Sequence, residues 1–189
     1  MTESFQLSST RLCLRRLRPE DAQCICDYRA LPDVARFQSW KSFTLSDADR
    51  LIADQMVVAP GTPGTWLQLA LVAVESGTVI GDCGIHFLRD ELEQVEIGIT
   101  LAPTHMGRGL ATEALDSVLA YVFGDLHKHR AVAITDVANR AAAALFQRLG
   151  FRQEAHYVEH VWFKDAWCSE FLFALLSREW QARVGRNGV

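Results

Sequence analysis

Several segments of the chain alternate apolar and polar residues, and this period of two predicts half-buried β-strands. The clearest example is 11–17, where Leu12, Leu14 and Leu17 are separated by polar side chains. Residues 130–135 form a shorter and more apolar run that also suits a strand. The strands predicted in this way span 11–17, 66–75, 79–88, 94–101, 130–135, 151–163 and 168–176.

Other segments repeat apolar residues at helical spacing or carry helix-capping signals. Pro19, followed by two acidic residues, suits the first turn of a helix. Ser46 and Asp49 have the spacing of a capping box, with Asp in place of the usual Glu. Asn139 can cap a helix at its start, and Gly150 can terminate it. The four predicted helices span 19–30, 46–58, 110–123 and 139–149.

The order of these elements is strand, two helices, three strands, helix, strand, helix and two strands. Short turns join the middle strands, which favours an antiparallel meander. The order predicts an α/β fold with a mixed, mostly antiparallel central sheet of about seven strands, flanked by about four helices. Because no long linker interrupts the chain, we expect residues 1–189 to form a single domain.

Composition excludes several classes of protein. Apolar residues make up 49% of the chain and charged residues 22%, which is typical of a globular protein. The net charge of −4, from 19 basic and 23 acidic residues, argues against a nucleic-acid partner. No apolar run approaches the ~20 residues that span a bilayer, and the N-terminus lacks a signal-peptide pattern. We therefore expect a cytoplasmic protein without a membrane partner.

The histidine pairs do not predict a metal. His127/His129 and His156/His160 have no companion ligands at a recognisable spacing. Surface or core packing is the simpler interpretation of both pairs.

The segment 94–114 carries the chemistry. A predicted strand ends near Leu101, and a helix begins after Gly107 and Gly109. Unpaired amides and the helix dipole favour anions at such a start, and glycine allows a phosphate to approach the backbone. The dinucleotide fingerprint G-x-G-x-x-G/A matches only in part, because Thr112 stands at its last position. The segment therefore predicts a pyrophosphate site of another kind.

Met106 to Ala111, M-G-R-G-L-A, resembles the acetyl-CoA pyrophosphate loop of the GNAT N-acetyltransferases, [QR]-x-x-G-x-[GA]. More closely, the chain resembles the RimJ/RimL-like branch of that superfamily. The stretches E-I-G-I-T-L at 96–101 and G-R-G-L-A-T-E-A at 107–114 follow the pattern of that branch. The similarity extends over most of the chain. It includes the opening segment 11–21, Asn139 together with 149–151, and the final segment 165–180.

The resemblance implies acetyl-CoA as co-substrate, without a metal, and direct transfer of the acetyl group in a ternary complex. It implies that a backbone N–H within 99–101 holds the developing oxyanion and that Asn139 touches the pantetheine arm. The cofactor-binding residues implied in this way are Ile99, Leu101, Met106, Gly107, Arg108, Gly109, Leu110, Ala111, Asn139 and Phe146.

Three positions depart from the family pattern. Met106 replaces the Gln or Arg of the loop, so a side-chain contact with phosphate is lost. Phe146 occupies the place where many relatives have a tyrosine that protonates the leaving thiolate. Ala142 replaces a serine found in many relatives. These departures leave the general acid unassigned.

The candidate catalytic residues are Glu96 and Thr100, which share one face of the strand 94–101 because side chains alternate along a strand. Glu96 is the candidate base, directly or through water, since burial can raise its pKa towards neutrality. Asp82 and His86, on the neighbouring predicted strand, are the reserve candidates. A structural role for Glu96 is the alternative.

The expected function is therefore acetyl-CoA-dependent N-acetylation of a primary amine, either a protein N-terminus or a small-molecule amine. The alternative is a non-catalytic acyl-CoA-binding or interaction module with the same fold. A homodimer is one assembly that the sequence allows. The sequence does not identify the amine acceptor.

Overall fold

The computed structural model describes residues 5–187, which form one eight-stranded sheet in the order β1-β2-β3-β4-β5-β6-β8-β7. All neighbouring strands are antiparallel except β5 and β6, which are parallel. The predicted α/β fold with a mixed, mostly antiparallel sheet is confirmed. The strands are β1 (Gln6–Ser8), β2 (Leu12–Arg16), β3 (Thr65–Ala73), β4 (Val79–Phe87), β5 (Gln94–Leu101), β6 (Arg130–Asp136), β7 (Arg152–Phe163) and β8 (Ala166–Leu176).

The additional strand is β1, which is too short to show an alternating pattern in the sequence. Helices also exceed the predicted number of about four, since α2 is a single turn and α6 is mostly polar. Trp180 anchors α6 by packing against Phe123. The helices are α1 (Ala22–Arg29), α2 (Pro32–Ala35), α3 (Leu45–Met56), α4 (Leu110–Ala120), α5 (Arg140–Arg148) and α6 (Ser177–Asn187).

The predicted capping box of α3 was wrong by two residues. Thr44, not Ser46, caps the helix: its hydroxyl accepts from the amide of Asp47 at 3.3 Å. The Asp47 carboxylate accepts from the Thr44 amide at 2.9 Å in return. The same three-residue spacing occurs in both pairs, so the sequence alone did not separate them. The cap predicted at Asn139 is confirmed, since its side chain accepts from the amide of Ala142 at 3.1 Å.

Helices cover both faces of the sheet. Helices α4 and α5 pack on one face, where Leu115, Leu119 and Leu149 are fully buried against apolar strand residues. Helices α1 and α3 pack on the other face through Ile25 and Ile52. Among the described residues, no helix has the length and apolar character needed to cross a membrane.

The parallel pair β5/β6 opens part-way along its length. The ladder joins Gln94–Glu96 to residues 130–132 and goes no further. Beyond it, β5 stays paired with β4 as far as Leu101, and β6 stays paired with β8 as far as Asp136. The two strands therefore diverge and leave a V-shaped gap in the middle of the sheet.

Candidate active site

The gap between β5 and β6 opens into a cleft of about 650 Å³. Both candidate catalytic residues, Glu96 and Thr100, line this cleft. Of the predicted cofactor-binding residues, Ile99, Asn139 and Phe146 also line it. Leu101 and the loop 106–111 lie outside its lining, at and beyond the end of β5.

Free backbone groups of β5 face the gap. Ala102 donates its N–H to Ile80, beside β4, at 2.8 Å, whereas Glu93 accepts from His129, beside β6, at 2.9 Å. Since peptide groups alternate in direction along a strand, the odd-numbered residues of β5 direct their N–H and C=O groups towards β6. Ile99 and Leu101 lie past the end of that ladder. Their amides point into the gap, where a carbonyl oxygen can accept from them.

Glu96 occupies the base of the gap and is backed by an aromatic stack. Its carboxylate lies 3.5 Å from Nδ1 of His86, its partner across the β4/β5 ladder. His86 in turn stacks on Trp66, with ring centroids 4.7 Å apart. Burial raises the pKa of Glu96 above its ordinary value, while His86 lowers it in part and the negative charge of Glu170 adds to the rise.

Glu170 approaches the cleft from β8, on the far side of the gap. Its carboxylate lies 2.7 Å from Nε2 of His160. Carboxylates from β5 and β8 therefore line the same cleft.

Thr100 is buried, and its hydroxyl accepts a hydrogen bond from Gln38 at 3.2 Å. Gln38 follows α2 and also lines the cleft. This contact attaches the segment after α2 to β5, so Thr100 supports the wall of the cleft. A direct catalytic role for Thr100 stays a prediction.

Asp82, a reserve candidate for the base, lies in a buried ion pair. Arg29 donates from Nε and Nη2 to its two oxygens, at 3.0 and 2.7 Å. Tyr28 and Gln68 donate to the same carboxylate. Asp82 also lines the cleft, but because both of its oxygens are already engaged, this arrangement argues against it as a base.

The loop between β5 and α4 exposes a row of amides. Gly107 and Gly109 adopt left-handed backbone angles, with φ of +73° and +78°, which glycine tolerates without steric cost. The backbone amide of Glu113 donates the first hydrogen bond of the helix, to the carbonyl of Gly109 at 3.1 Å. The amides of residues 110–112 therefore have no acceptor within the helix and can face an anion.

Side chains of the loop add little to that surface. Leu110 is buried in the core and Ala111 packs against it. Met106 and Arg108 are exposed. The predicted contribution of this loop thus rests on its main chain, with Arg108 the one side chain that can bring a positive charge.

A clamp holds the loop against the start of β2. The Glu113 carboxylate accepts from the backbone amide and Nε of Arg11, at 2.7 and 2.6 Å, and from the Ser9 hydroxyl at 2.8 Å. Arg11 also donates from Nη1 to the carbonyl of Arg108 at 3.1 Å. Arg11 and Glu113 together fix the carbonyl that precedes Gly109.

Phe146 lies in the core where it also borders the cleft. Its ring packs on Phe173 and Phe151, at centroid distances of 6.1 and 5.3 Å. Ala142 lies one turn earlier on the same helix and also lines the cleft. Neither side chain can donate a proton, so the departure from the family pattern persists in the structure.

A larger groove of about 970 Å³ runs between β1 and α4. Three carboxylates line it, from Glu113, Asp116 and Asp125, with Arg148 as the single cation. Arg11 and Arg183 pair with two of these carboxylates, so the groove offers no surplus of positive charge for a polyphosphate and is not the candidate cofactor site. Within residues 5–187, no group of three or more His, Cys, Asp or Glu side chains is arranged to hold a metal.

A sequence profile described as "Acetyltransferase (GNAT) domain" matches residues 11–152. The chain belongs to the GNAT acetyltransferase family. It is 30% identical to the uncharacterized N-acetyltransferase p20 of Bacillus licheniformis, over 92% of this chain and 97% of that protein. It is 23% identical to the putative ribosomal N-acetyltransferase YdaF of Bacillus subtilis, over 90% and 93% of the two chains.

A solved structure shows the same fold. The spermidine N-acetyltransferase of Vibrio cholerae, in complex with CoA and spermine, superposes with a TM-score of 0.77. The two chains are 19% identical, with 92% of this chain and 99% of the other covered. The predicted resemblance to GNAT acetyltransferases is thus confirmed, and the splayed strands β5 and β6 are the centre of this GNAT fold.

Sequence reasoning missed several residues of the GNAT cleft. Gln38 and Glu170 come from segments distant in sequence, and no spacing rule connects them to β5. Arg29 is hidden in a helix as an ordinary polar residue. Thr135 carried a usable signal, since it is a polar residue at the end of an apolar strand.

Proposed function

We propose that this GNAT protein transfers the acetyl group of acetyl-CoA to a primary amine in the β5/β6 cleft. The observation that carries the proposal is the juxtaposition in the gap: a half-buried carboxylate, Glu96, lies on the same strand as the free amides of Ile99 and Leu101. A proton acceptor and oxyanion donors are the two groups that acyl transfer to an amine requires.

Each group has a distinct role in this proposal. Glu96 accepts the proton that the attacking ammonium group must lose, directly or through water. The amides of Ile99 and Leu101 donate to the acetyl oxygen as it gains negative charge. Asn139 uses only its amide oxygen for the helix cap, so its NH₂ group can donate to the pantetheine arm.

The phosphates would lie on the main chain of the loop. The left-handed Gly107 and Gly109 and the free amides at the start of α4 fit a pyrophosphate. Arg108 can add a charge contact, and Met106 adds none. Acetyl-CoA, when bound there, supplies the activated acetyl thioester; the protein supplies orientation and proton transfer.

We further propose a positively charged acceptor, because Glu96, Glu170 and Asp136 line the cleft and the one arginine, Arg29, is neutralised by Asp82. The relatives include a putative ribosomal N-acetyltransferase and a spermidine N-acetyltransferase. A protein N-terminus and a small-molecule amine are both compatible with this charge.

The experiment is a turnover screen. Purified protein is incubated with acetyl-CoA and, in turn, N-terminal peptides, polyamines and aminoglycosides, and both free thiol and acetylated product are measured. We expect at least one amine to gain an acetyl group in step with thiol release. Thiol release that is independent of every amine contradicts the proposal.

The second candidate is a non-catalytic acyl-CoA-binding module. The observation that favours it is the apolar pair Phe146 and Ala142 where relatives carry proton donors. It predicts that acetyl-CoA binds and that no amine in the screen is acetylated.

A further inference from the structure

Thr135 is the one buried side-chain hydroxyl among residues 5–187 that has no hydrogen-bond partner. The residue is 6% exposed, near the end of β6, and lines the cleft. Leaving a buried hydroxyl unpaired opposes folding by roughly 1–3 kcal/mol. A valine of almost the same shape would avoid this penalty. A hydrogen-bond partner on a bound ligand would explain why a hydroxyl is present here.

The face of β6 that carries Thr135 is the one covered by α5. Alternation along the strand puts Thr135 on the same side as Ala131 and Ala133, which are both fully buried in the core beneath α4 and α5. Ala133 pairs with Phe173 across the β6/β8 ladder, and Phe173 packs on Phe146. Thr135 therefore lies beside the region where the family pattern places a proton donor and this chain has Phe146.

The other groups around this hydroxyl restrict its partner. Asn139, which caps α5, and Ala142, in the first turn of that helix, line the same cleft. The free amides of Ile99 and Leu101 lie across the gap. A ligand that runs from the loop 106–111 along the divergent edge of β5 passes between these two walls.

We propose that the Thr135 hydroxyl donates a hydrogen bond to the sulfur of acetyl-CoA and stabilises the thiolate that leaves. This inference rests on the proposed function. As the amine nitrogen bonds to the acetyl carbon, the carbon–sulfur bond breaks and its electron pair goes to sulfur. The acceptor loses two protons in all: Glu96 takes the one that the ammonium loses before attack, and water takes the one that the nitrogen loses as it is acylated. Thr135 keeps its own proton while its hydrogen bond to the sulfur strengthens.

A binding experiment without any acceptor tests this contact. Calorimetry measures the affinities of CoA and of desulfo-CoA, which lacks the sulfur, for the unsubstituted protein, Thr135→Val and Thr135→Ser. We expect the preference for CoA over desulfo-CoA to fall by about fivefold in Thr135→Val, the usual worth of one hydrogen bond. Thr135→Ser should keep the preference. An equal preference in Thr135→Val and the unsubstituted protein overturns the proposal.

Stability and kinetics separate this role from a structural one. Thr135→Val should melt at the same or a higher temperature, because it removes an unpaired buried hydroxyl, while its kcat falls by a larger factor than its KM for acetyl-CoA rises. Lower thermal stability with unchanged kcat contradicts the assignment. If Thr135→Val does not fold, Thr135→Ala serves in the same comparison.

Failure of the proposed function has a different signature. If the unsubstituted protein prefers CoA over desulfo-CoA and Thr135→Val loses this preference, the contact is supported even if no amine is acetylated. If neither CoA nor desulfo-CoA binds the unsubstituted protein, both the proposed function and the contact are refuted.

Discussion

Replacing Asp82 by Asn should destabilise the protein strongly, because it leaves the charge of Arg29 buried without its counter-charge. The exposed fractions of the two residues are 2% for Asp82 and 6% for Arg29. Breaking such a pair from one side typically lowers the free energy of unfolding by about 3–5 kcal/mol. Asn keeps one acceptor for Arg29 and Gln68, so we expect a value near the lower end, about 3 kcal/mol.

The measurement is urea denaturation followed by tryptophan fluorescence, with thermal melting beside it. For a chain of this length, about 3 kcal/mol corresponds to a fall in Tm of roughly 6–12 °C. The matched control is Asp165→Asn, which breaks the exposed pair between Lys41 and Asp165. That change should alter the free energy of unfolding by less than about 1 kcal/mol.

A double substitution sharpens the interpretation. Replacing Arg29 by Met in the Asp82→Asn background removes the stranded charge and should recover part of the lost stability. If Asp82→Asn is within 1 kcal/mol of the unsubstituted protein, taken as roughly the exposed-pair range, the buried-pair argument is refuted. A variant of normal stability whose turnover falls a hundredfold would make Asp82 a catalytic residue after all.

Four further predictions concern the cofactor loop and the base. Gly109→Val should weaken acetyl-CoA binding at least tenfold in calorimetry, since φ of +78° strains a β-branched residue; unchanged affinity would remove the loop from the site. Met106→Ala should weaken the same affinity by less than ~1 kcal/mol, because its side chain is exposed and apolar; a hundredfold loss would show a direct contact. Glu113→Ala should raise the KM for acetyl-CoA by roughly tenfold with little change in kcat, because the loop loses its contacts with Arg11. The control, Glu179→Ala, breaks an ion pair with Arg152 elsewhere and should leave this KM unchanged. Equal changes of KM in the two variants would argue against the clamp. Burial raises the pKa of Glu96 in the folded protein, so ionising this carboxylate lowers the free energy of unfolding as pH rises through that pKa. Glu96→Gln should therefore be more stable than the unsubstituted protein at pH 7, and this gain should disappear below about pH 4. A gain in stability that is independent of pH would show that the carboxylate is not the cause.

The strand-loop-helix unit 94–114 was predictable because each of its signals is local. Alternation placed Glu96 and Thr100 on one face of β5, and the two glycines marked the turn before α4. The capping of α3 was not predictable, since Thr44/Asp47 and Ser46/Asp49 have equal spacing. Strand β1 and helix α6 were missed because they are stabilised by neighbours rather than by their own patterns.

The candidate site divides in the same way. Glu96 was found because it lies in the segment with the strongest motif. The role of Asp82 depended on Arg29, more than fifty residues away, which no local pattern reveals. The position of Thr135 beside the cleft could not be predicted, because it depends on where the ladder between β5 and β6 ends.

In the proposed function, the β5/β6 cleft carries acetyl transfer with Glu96 as the base. The most direct test compares Glu96→Gln with the unsubstituted protein at pH 7, at matched saturation with acetyl-CoA, by measuring acetylated amine formed per unit time. Gln keeps the size of the side chain but accepts no proton, so we expect turnover to fall by roughly 10²–10⁴. The defect should shrink as pH rises, because more of the amine is already neutral. Near-normal turnover by Glu96→Gln at pH 7 would contradict the account.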